Sequence, residues 1–201
     1  MIWMLFCNFS TDRVQLGNII TQQFLDRDTI ETTLPVALTT RYQKQWFEKV
    51  LVLNGPGWFT NLRVGTLVIN LLQELVPDLI VYSVSKVELY KYLYKQWFVP
   101  QFCYMYIGQK KNIRYYDLKA DKYETQTLED VKEWQDNVFF DRASKDFRGK
   151  INTQPTIQFD MWPEWLVVMI GEEDMQVTPD SLGLKPIKKL EAQYFIEPTI
   201  W

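Results

Sequence analysis

The sequence predicts an α/β protein in which mixed β-sheets are flanked by helices. Two patterns lead to this prediction. β-prone runs open the chain, as in an antiparallel meander, and short apolar runs then alternate with segments of helical periodicity. The 201 residues are 47% hydrophobic and 23% charged, which is enough apolar material for a packed core. That length fits one large domain or two of about 100 residues each.

The opening segment predicts two or three antiparallel strands. β-prone runs occupy residues 2–9, 13–20 and 22–31, and a polar turn separates the first two. After them, residues 39–40 are both threonine and can cap a short helix that extends to about Lys49.

A buried strand and a helix follow at the centre of the first half. Residues 50–53 are four consecutive apolar residues, which is typical of a parallel strand covered on both faces. Two glycines and a proline within 54–57 then break the chain. The spacing predicts a helix from about Thr60 to Val76, which Pro77 ends.

Residues 78–82 predict another short buried strand. Ser83 or Ser85 can cap a helix over about 86–98, and Pro100 ends it. The first half therefore has the order β-β-β-α-β-α-β-α. A meander followed by βα units indicates a mixed sheet with helices on its faces.

The second half predicts strands followed by a helix. The predicted strands are 102–107, 112–117, 122–126 and 138–140. Residues 127–130 resemble a capping box with Asp in the Glu position, and they open a helix to about Gln135.

The remaining segments are less regular. Residues 165–170 are apolar and fit a strand or a short helix; the helix is the interpretation we favour here. Residues 181–189 predict a loop, and 193–196 predict a strand or an extended tail.

The absence of histidine excludes several classes of site. No Ser-His-Asp or Cys-His pair, imidazole metal ligand or HExxH helix can form in this sequence. The two cysteines, Cys7 and Cys103, lie in apolar runs and predict buried free thiols. An enzyme of this composition would use carboxylates, lysines or a phosphate-binding loop. Its nearest acids to the first turns are Asp12, Asp26 and Asp28, which also fit solvated loop positions.

The charge distribution gives little support for direct nucleic-acid binding. Net charge is −3, so the chain has no broad basic field. Two tyrosines at 115–116 can stack bases beside modest basic clusters, although a solvated face is the simpler interpretation. Those clusters are formed by Lys110, Lys111, Arg114, Lys185, Lys188 and Lys189.

The sequence also predicts a cytoplasmic protein with no membrane segment. The apolar start of the chain lacks a basic flank and becomes polar at Asn8, so it is predicted to be a buried strand and not a signal peptide. Other apolar runs are too short to cross a bilayer.

The Gly-Pro-Gly turn and the helix after it are the most specific features. Glycines before a helix N-terminus can bind a phosphate or form a tight structural turn, but the GxxxxGK[ST] pattern is absent. The helix has two apolar stripes, so a second helix or a partner must cover one of them. One stripe contains Val64, Val68, Leu71 and Leu75; the other contains Leu62, Gly65, Ile69, Leu72 and Val76.

Residues 52–65 resemble the GPGSFTGLRIG signature of the TsaB (YeaZ) family, the non-catalytic partners in bacterial tRNA threonylcarbamoyladenosine synthesis. The chain departs from it at Trp58, where the family has a small residue, and at Asn61, which replaces a glycine. Asn8 stands where nucleotide-binding relatives carry an aspartate. The residues assigned to the structural turn are Gly55, Pro56, Gly57, Thr60, Arg63 and Gly65.

The resemblance implies a two-lobed actin/Hsp70-like (ribonuclease H-like) fold, reduced in size, with lobes at 1–100 and 101–201. It implies a scaffold without catalytic residues, cofactor or metal, which binds a TsaD-like catalytic subunit, with a TsaE-like ATPase as a further partner and tRNA only in indirect contact. The alternatives are a homodimer, or a phosphotransferase or peptidase-like enzyme of the same fold. The interface residues it suggests are Leu62, Ile69, Leu72, Gln73 and Val76.

Overall fold

The fold is built on three β-sheets. The computed structural model describes residues 4–18, 21–45, 47–107, 112–131, 137–141, 156–161 and 165–194. The elements are β1 (Met4–Asn8), β2 (Arg13–Gly17), β3 (Gln22–Asp26), a 3₁₀ turn (Arg27–Thr29), α1 (Ile30–Gln45), β4 (Lys49–Leu53), α2 (Phe59–Leu75), β5 (Ile80–Val84), α3 (Lys86–Lys95), β6 (Phe102–Tyr106), β7 (Asn112–Asp117), β8 (Lys122–Thr127), β9 (Val138–Phe140), β10 (Ile157–Met161), β11 (Leu166–Ile170) and β12 (Glu173–Val177).

The first sheet is mixed, as the sequence predicts. Its order is β3-β2-β1-β4-β5; β1 pairs in parallel with β4, β4 with β5, and β2 runs antiparallel to both neighbours. Phe6 of β1 lies opposite Leu51 of β4 and Gly17 of β2.

The second sheet repeats that arrangement. Its order is β8-β7-β6-β9, with β6 antiparallel to β7 and parallel to β9. Its four strands correspond in order and direction to the first four of the first sheet, and the predicted α/β class with mixed sheets flanked by helices is confirmed. The third sheet, β10-β11-β12, is an antiparallel meander. The lobe boundary at residue 100 stays a prediction.

Two cores form on opposite faces of the first sheet, because successive strand side chains point to opposite sides. Leu5 and Cys7 pack with α1 and α2 on one face. Met4 and Phe6 pack with α3 and the other sheets on the opposite face. Both cysteines are free and buried, as predicted.

The helix α1 begins at Ile30, about nine positions before the predicted start, and it includes Pro35. The predicted start was too late because the first part of α1 is rich in threonine and contains a proline, and both are poor helix formers. Packing overrides that preference: Ile30, Leu34, Ala37, Leu38 and Arg41 form a buried stripe at helical spacing. The third predicted strand accordingly ends at Asp26.

The helix favoured over 165–170 is wrong, because β11 occupies this segment and pairs on both sides with β10 and β12. Those two neighbours are strands that the sequence analysis did not identify. At the predicted helix start, Thr127 and Asp130 exchange the expected capping bonds, at 3.0 and 3.3 Å. Residues 132–135 of that helix and 195–196 of the predicted tail lie outside the described residues.

Candidate functional site

The Gly-Pro-Gly turn joins β4 to α2 and is held by the chain on both sides. Gly55 has a φ of 83°, which glycine adopts without steric cost, and its carbonyl accepts a 2.7 Å hydrogen bond from Lys86 N. A Cβ at this position would also clash with the carbonyl of Gln193. Gly55 therefore serves both the turn and the close approach of a distant segment.

The other two glycines let α2 approach the turn that follows β1. A Cβ at Gly57 would clash with the backbone of Ser10, and a Cβ at Gly65 would clash with the ring of Phe9. Asn61 lies within α2, and its Nδ2 donates to the carbonyl of Thr11 at 2.7 Å. Packing within the chain accounts for the glycines without a ligand.

The turn after β1 is closed by its own polar groups. Asn8 is buried, and its Oδ1 accepts hydrogen bonds from Ser10 N at 3.0 Å and Ser10 Oγ at 2.6 Å. This turn therefore offers a neutral amide, and Mg²⁺–phosphate groups are held by carboxylates.

Trp58 connects three parts of the fold. It is the N-cap residue of α2, and its indole lies 5.8 Å from the ring of Tyr106 in the second sheet. The guanidinium of Arg27 stacks over the same indole at 4.5 Å. The large side chain therefore fills space between the 3₁₀ turn and the second sheet, which a small residue would leave open.

The residues suggested for a partner interface face inward along α2. Leu62 and Ile69 have no exposed surface and Leu72 is 7% exposed, since all three pack against the first sheet. Gln73 is half-buried and its Nε2 donates to the carbonyl of Ile187 at 2.9 Å. Val76 packs partly against the same core. Leu62, Ile69 and Leu72 therefore have little surface left for a partner, whereas Gln73 and Val76 stay partly exposed. Their place in an interface stays a prediction.

The outward face of α2 carries three leucines, which we call the leucine stripe. Leu67, Leu71 and Leu75 recur every four residues and are 59%, 48% and 80% exposed. Leu71 and Leu75 belong to the first apolar stripe seen in the sequence, whereas Leu67 was missed although its spacing to them indicates the same face. Apolar residues therefore cover both sides of α2, and one side faces solvent.

Residues 187–194, which we call the strap, lie across α2 and the first sheet. Ile187 forms an isolated bridge with Val81 of β5. Asn70 of α2 binds the backbone of Leu190 through both atoms of its side-chain amide: its Nδ2 donates to the carbonyl of Leu190 at 3.0 Å, and its Oδ1 accepts from Leu190 N at 2.8 Å. The Asn54 amide donates to the carbonyl of Glu191.

The candidate acids lie near the first turns but do not converge. Asp12 borders a cleft of about 460 Å³ between the first and third sheets, and its Oδ1 accepts a 3.1 Å bond from Arg13 N. Asp26 pairs with Arg13 at 2.8 Å, and Asp28 lies 3.5 Å from Arg27, both at exposed positions. No cluster of three metal-ligating side chains occurs among the described residues.

The two thiols do not have the surroundings of nucleophiles. Both are completely buried, and burial raises the pKa of Cys7 and of Cys103 well above the ordinary value. Each thiol therefore stays protonated and packs as a small apolar side chain.

The basic and aromatic candidates for nucleic-acid contact are dispersed. Arg114 is buried, and its guanidinium lies 4.1 Å from the centre of the Tyr123 ring. Tyr115 stacks on Phe102 at 5.3 Å, and the hydroxyl of Tyr116 donates to Asp121 at 2.6 Å. Lys185, Lys188 and Lys189 are exposed, whereas Lys110 and Lys111 lie outside the described residues.

In the part of the chain that the structure covers, no helix has the length and hydrophobicity to span a bilayer.

Solved structures resemble this chain over most of its length. One is the crystal structure of an uncharacterized protein with similarity to peptidase YeaZ from Pseudomonas aeruginosa, at 15% identity and a TM-score of 0.45. Another is YeaZ from Pseudomonas aeruginosa, at 16% identity and a TM-score of 0.45. Each match covers 81% of this chain and 86% of the other. No protein-family model matches the sequence, and no curated protein does.

Proposed function

We propose that this chain is a cytoplasmic, non-catalytic scaffold subunit. It binds a TsaD-like catalytic subunit, and that subunit transfers a threonylcarbamoyl group to the adenosine next to the anticodon in tRNA. A TsaE-like ATPase is a further component, and the chain itself touches tRNA only indirectly. The observation that carries the proposal is the leucine stripe on α2, because it is an apolar face presented to solvent by the helix that follows the Gly-Pro-Gly turn.

The leucine stripe has the properties of a docking surface. Three leucines on one line of a helix are enough for a continuous apolar contact, and each is worth roughly 1.5–3 kcal/mol when fully buried. The opposite face of α2 is anchored by Leu62 and Ile69 in the core. The exposed face is therefore held in place before a partner arrives, which lowers the entropic cost of binding.

The residues around the first turn also support a scaffold over an enzyme. Asn8 is neutral, and its side-chain oxygen Oδ1 already accepts two hydrogen bonds from Ser10. The resemblance of residues 52–65 to the TsaB signature points to the same conclusion, since members of that family support a catalytic partner.

Co-expression with the TsaD-like protein of the same organism tests the proposal. Light scattering should give the mass of a one-to-one complex, and Leu71→Glu should abolish it because burying an unpaired carboxylate is costly. Glu74→Gln, at an exposed position of the same helix, is the matched control and should leave the complex intact. A complex that survives both Leu71→Glu and Leu75→Glu would show that the stripe is not the interface.

Self-association through the same stripe is the second candidate, because two copies of an apolar helix face can cover each other. The mass of the purified chain alone tests it. A dimer that Leu71→Glu converts to a monomer, together with no complex with the TsaD-like protein, would favour the homodimer. A wild-type monomer would exclude it.

A further inference from the structure

A groove of about 670 Å³ lies between β3 and α1, and the residues that line it fall within 21–25 and 32–45. Its apolar lining includes the buried Leu25 and the exposed Val36, and Thr21 and Thr40 contribute hydroxyl groups. This volume falls in the range of small-molecule sites, which are mostly apolar with a few polar groups that fix orientation. We call it the α1 groove.

Arg41 lines the α1 groove and is only 7% exposed. Its guanidinium contacts neutral oxygens: Nη1 donates to Thr21 Oγ1 at 2.9 Å, and its other hydrogen bonds, to Thr21, Gln45 and Gln23, are all 3.5 Å long. The Nε–H is buried and has no partner among the described residues. A buried guanidinium with five donors is therefore left poorly satisfied.

The charge of Arg41 is also unbalanced. No carboxylate forms an ion pair with it in the described part of the chain, where the ion pairs are Arg13–Asp26, Arg27–Asp28, Lys86–Asp141 and Lys91–Asp121. Burial lowers the pKa of Arg41 because its charge is poorly solvated there. An unpaired buried cation is costly, and an anion in the groove would relieve that cost.

The rest of the lining favours an anion. Among the described residues, the side chains that border the groove are apolar, threonine, glutamine or basic, and none of them is acidic. Lys44 is the second cation, and it lies three positions after Arg41 on the same helix, so the two side chains are neighbours. Two positive groups and several hydroxyl and amide donors therefore line the groove beside its apolar side chains.

We propose that the α1 groove binds a small organic anion, whose carboxylate or phosphate group pairs with Arg41 and Lys44 and whose apolar body covers Leu25 and Val36. A guanidinium presents parallel N–H donors to such a group, which suits bidentate recognition. This site is separate from the leucine stripe and does not depend on the proposed scaffold role.

Calorimetric titration of the full chain with phenyl phosphate, benzoate and the neutral benzyl alcohol at constant ionic strength tests the site. Binding of at least one of the two anions, with no binding of benzyl alcohol, is the expected result. Arg41→Gln should weaken it by about tenfold or more, because a charge-assisted hydrogen bond is lost. Binding of all three compounds alike, or of none, would overturn the proposal.

Two further variants keep the test valid if Arg41→Gln folds poorly. Lys44→Gln, at an exposed position, should weaken anion binding by about threefold without affecting the fold. Lys95→Gln, an equally exposed lysine at the last turn of α3, should leave it unchanged. Equal losses at Lys44 and Lys95 would indicate non-specific attraction and would also overturn the proposal.

Discussion

Lys86 Nζ lies 2.5 Å from Asp141 Oδ2, and the two side chains are 1% and 0% exposed. Lys86 opens α3, next to the first sheet, whereas Asp141 directly follows β9 of the second sheet. The other carboxylate oxygen accepts a 3.1 Å bond from Tyr106 N. One buried ion pair therefore fastens a helix of the first half of the chain to the second sheet.

Lys86→Met should destabilise the protein by about 3–5 kcal/mol, because it leaves the Asp141 carboxylate buried without a cation. Urea unfolding followed by circular dichroism measures the loss. Lys91→Gln, which breaks the exposed pair with Asp121, is the matched control and should cost less than about 1 kcal/mol. Similar small losses for the two variants would contradict this account of the buried pair.

Gly65→Ala should destabilise the protein by about 1–3 kcal/mol, since the new methyl group would overlap the ring of Phe9 in a close-packed core. Thermal unfolding is a suitable measurement. Phe9→Leu removes part of the ring, so the double variant should recover some of the loss caused by the alanine. Additive losses in the double variant would show that Phe9 is not the obstacle.

Ionisation of Tyr115 should lower the free energy of unfolding at high pH. Burial, followed by the charges of Tyr104, Asp117 and Glu124, raises the pKa of Tyr115 to about 12. The folded state then holds the phenolic proton more tightly than the unfolded state, whose tyrosine ionises near pH 10. This contribution is complete below about pH 10 and is lost as the pH rises from about 10 to 12.

Tyr115→Phe keeps the aromatic stacking on Phe102 and removes the ionisable group. We expect the free energy of unfolding of the wild type to fall more steeply than that of the variant between about pH 10 and 12. Absorbance titration of tyrosinate should likewise lose one late-ionising group. Parallel pH profiles for the two proteins would refute the assignment.

The parallel strands were predictable because each is a short, continuous apolar run. Residues 50–53 are buried on both faces of the first sheet, so no polar residue interrupts them. The same property made 165–170 ambiguous, since a buried helix turn and a strand covered on both sides look alike in such a run. Only the pairing of β11 with both neighbours separates the two.

The site was predictable only in part. Periodicity shows that α2 is apolar on two sides, but it does not show which side meets the sheet. That choice depends on distant contacts, of Gly65 with Phe9 and of Gln73 with Ile187, which have no local signal. The α1 groove has no sequence signature either, because threonines and glutamines from two elements form it around Arg41.

The strap also constrains how the protein is made. Asn70 and Leu190 are 120 positions apart, and Asn54 and Glu191 are 137 apart. During synthesis, the ribosome releases α2 and the first sheet long before the residues that cover them exist. The first sheet and α2 therefore stay incompletely covered and accessible to chaperones until almost all of the described sequence has emerged.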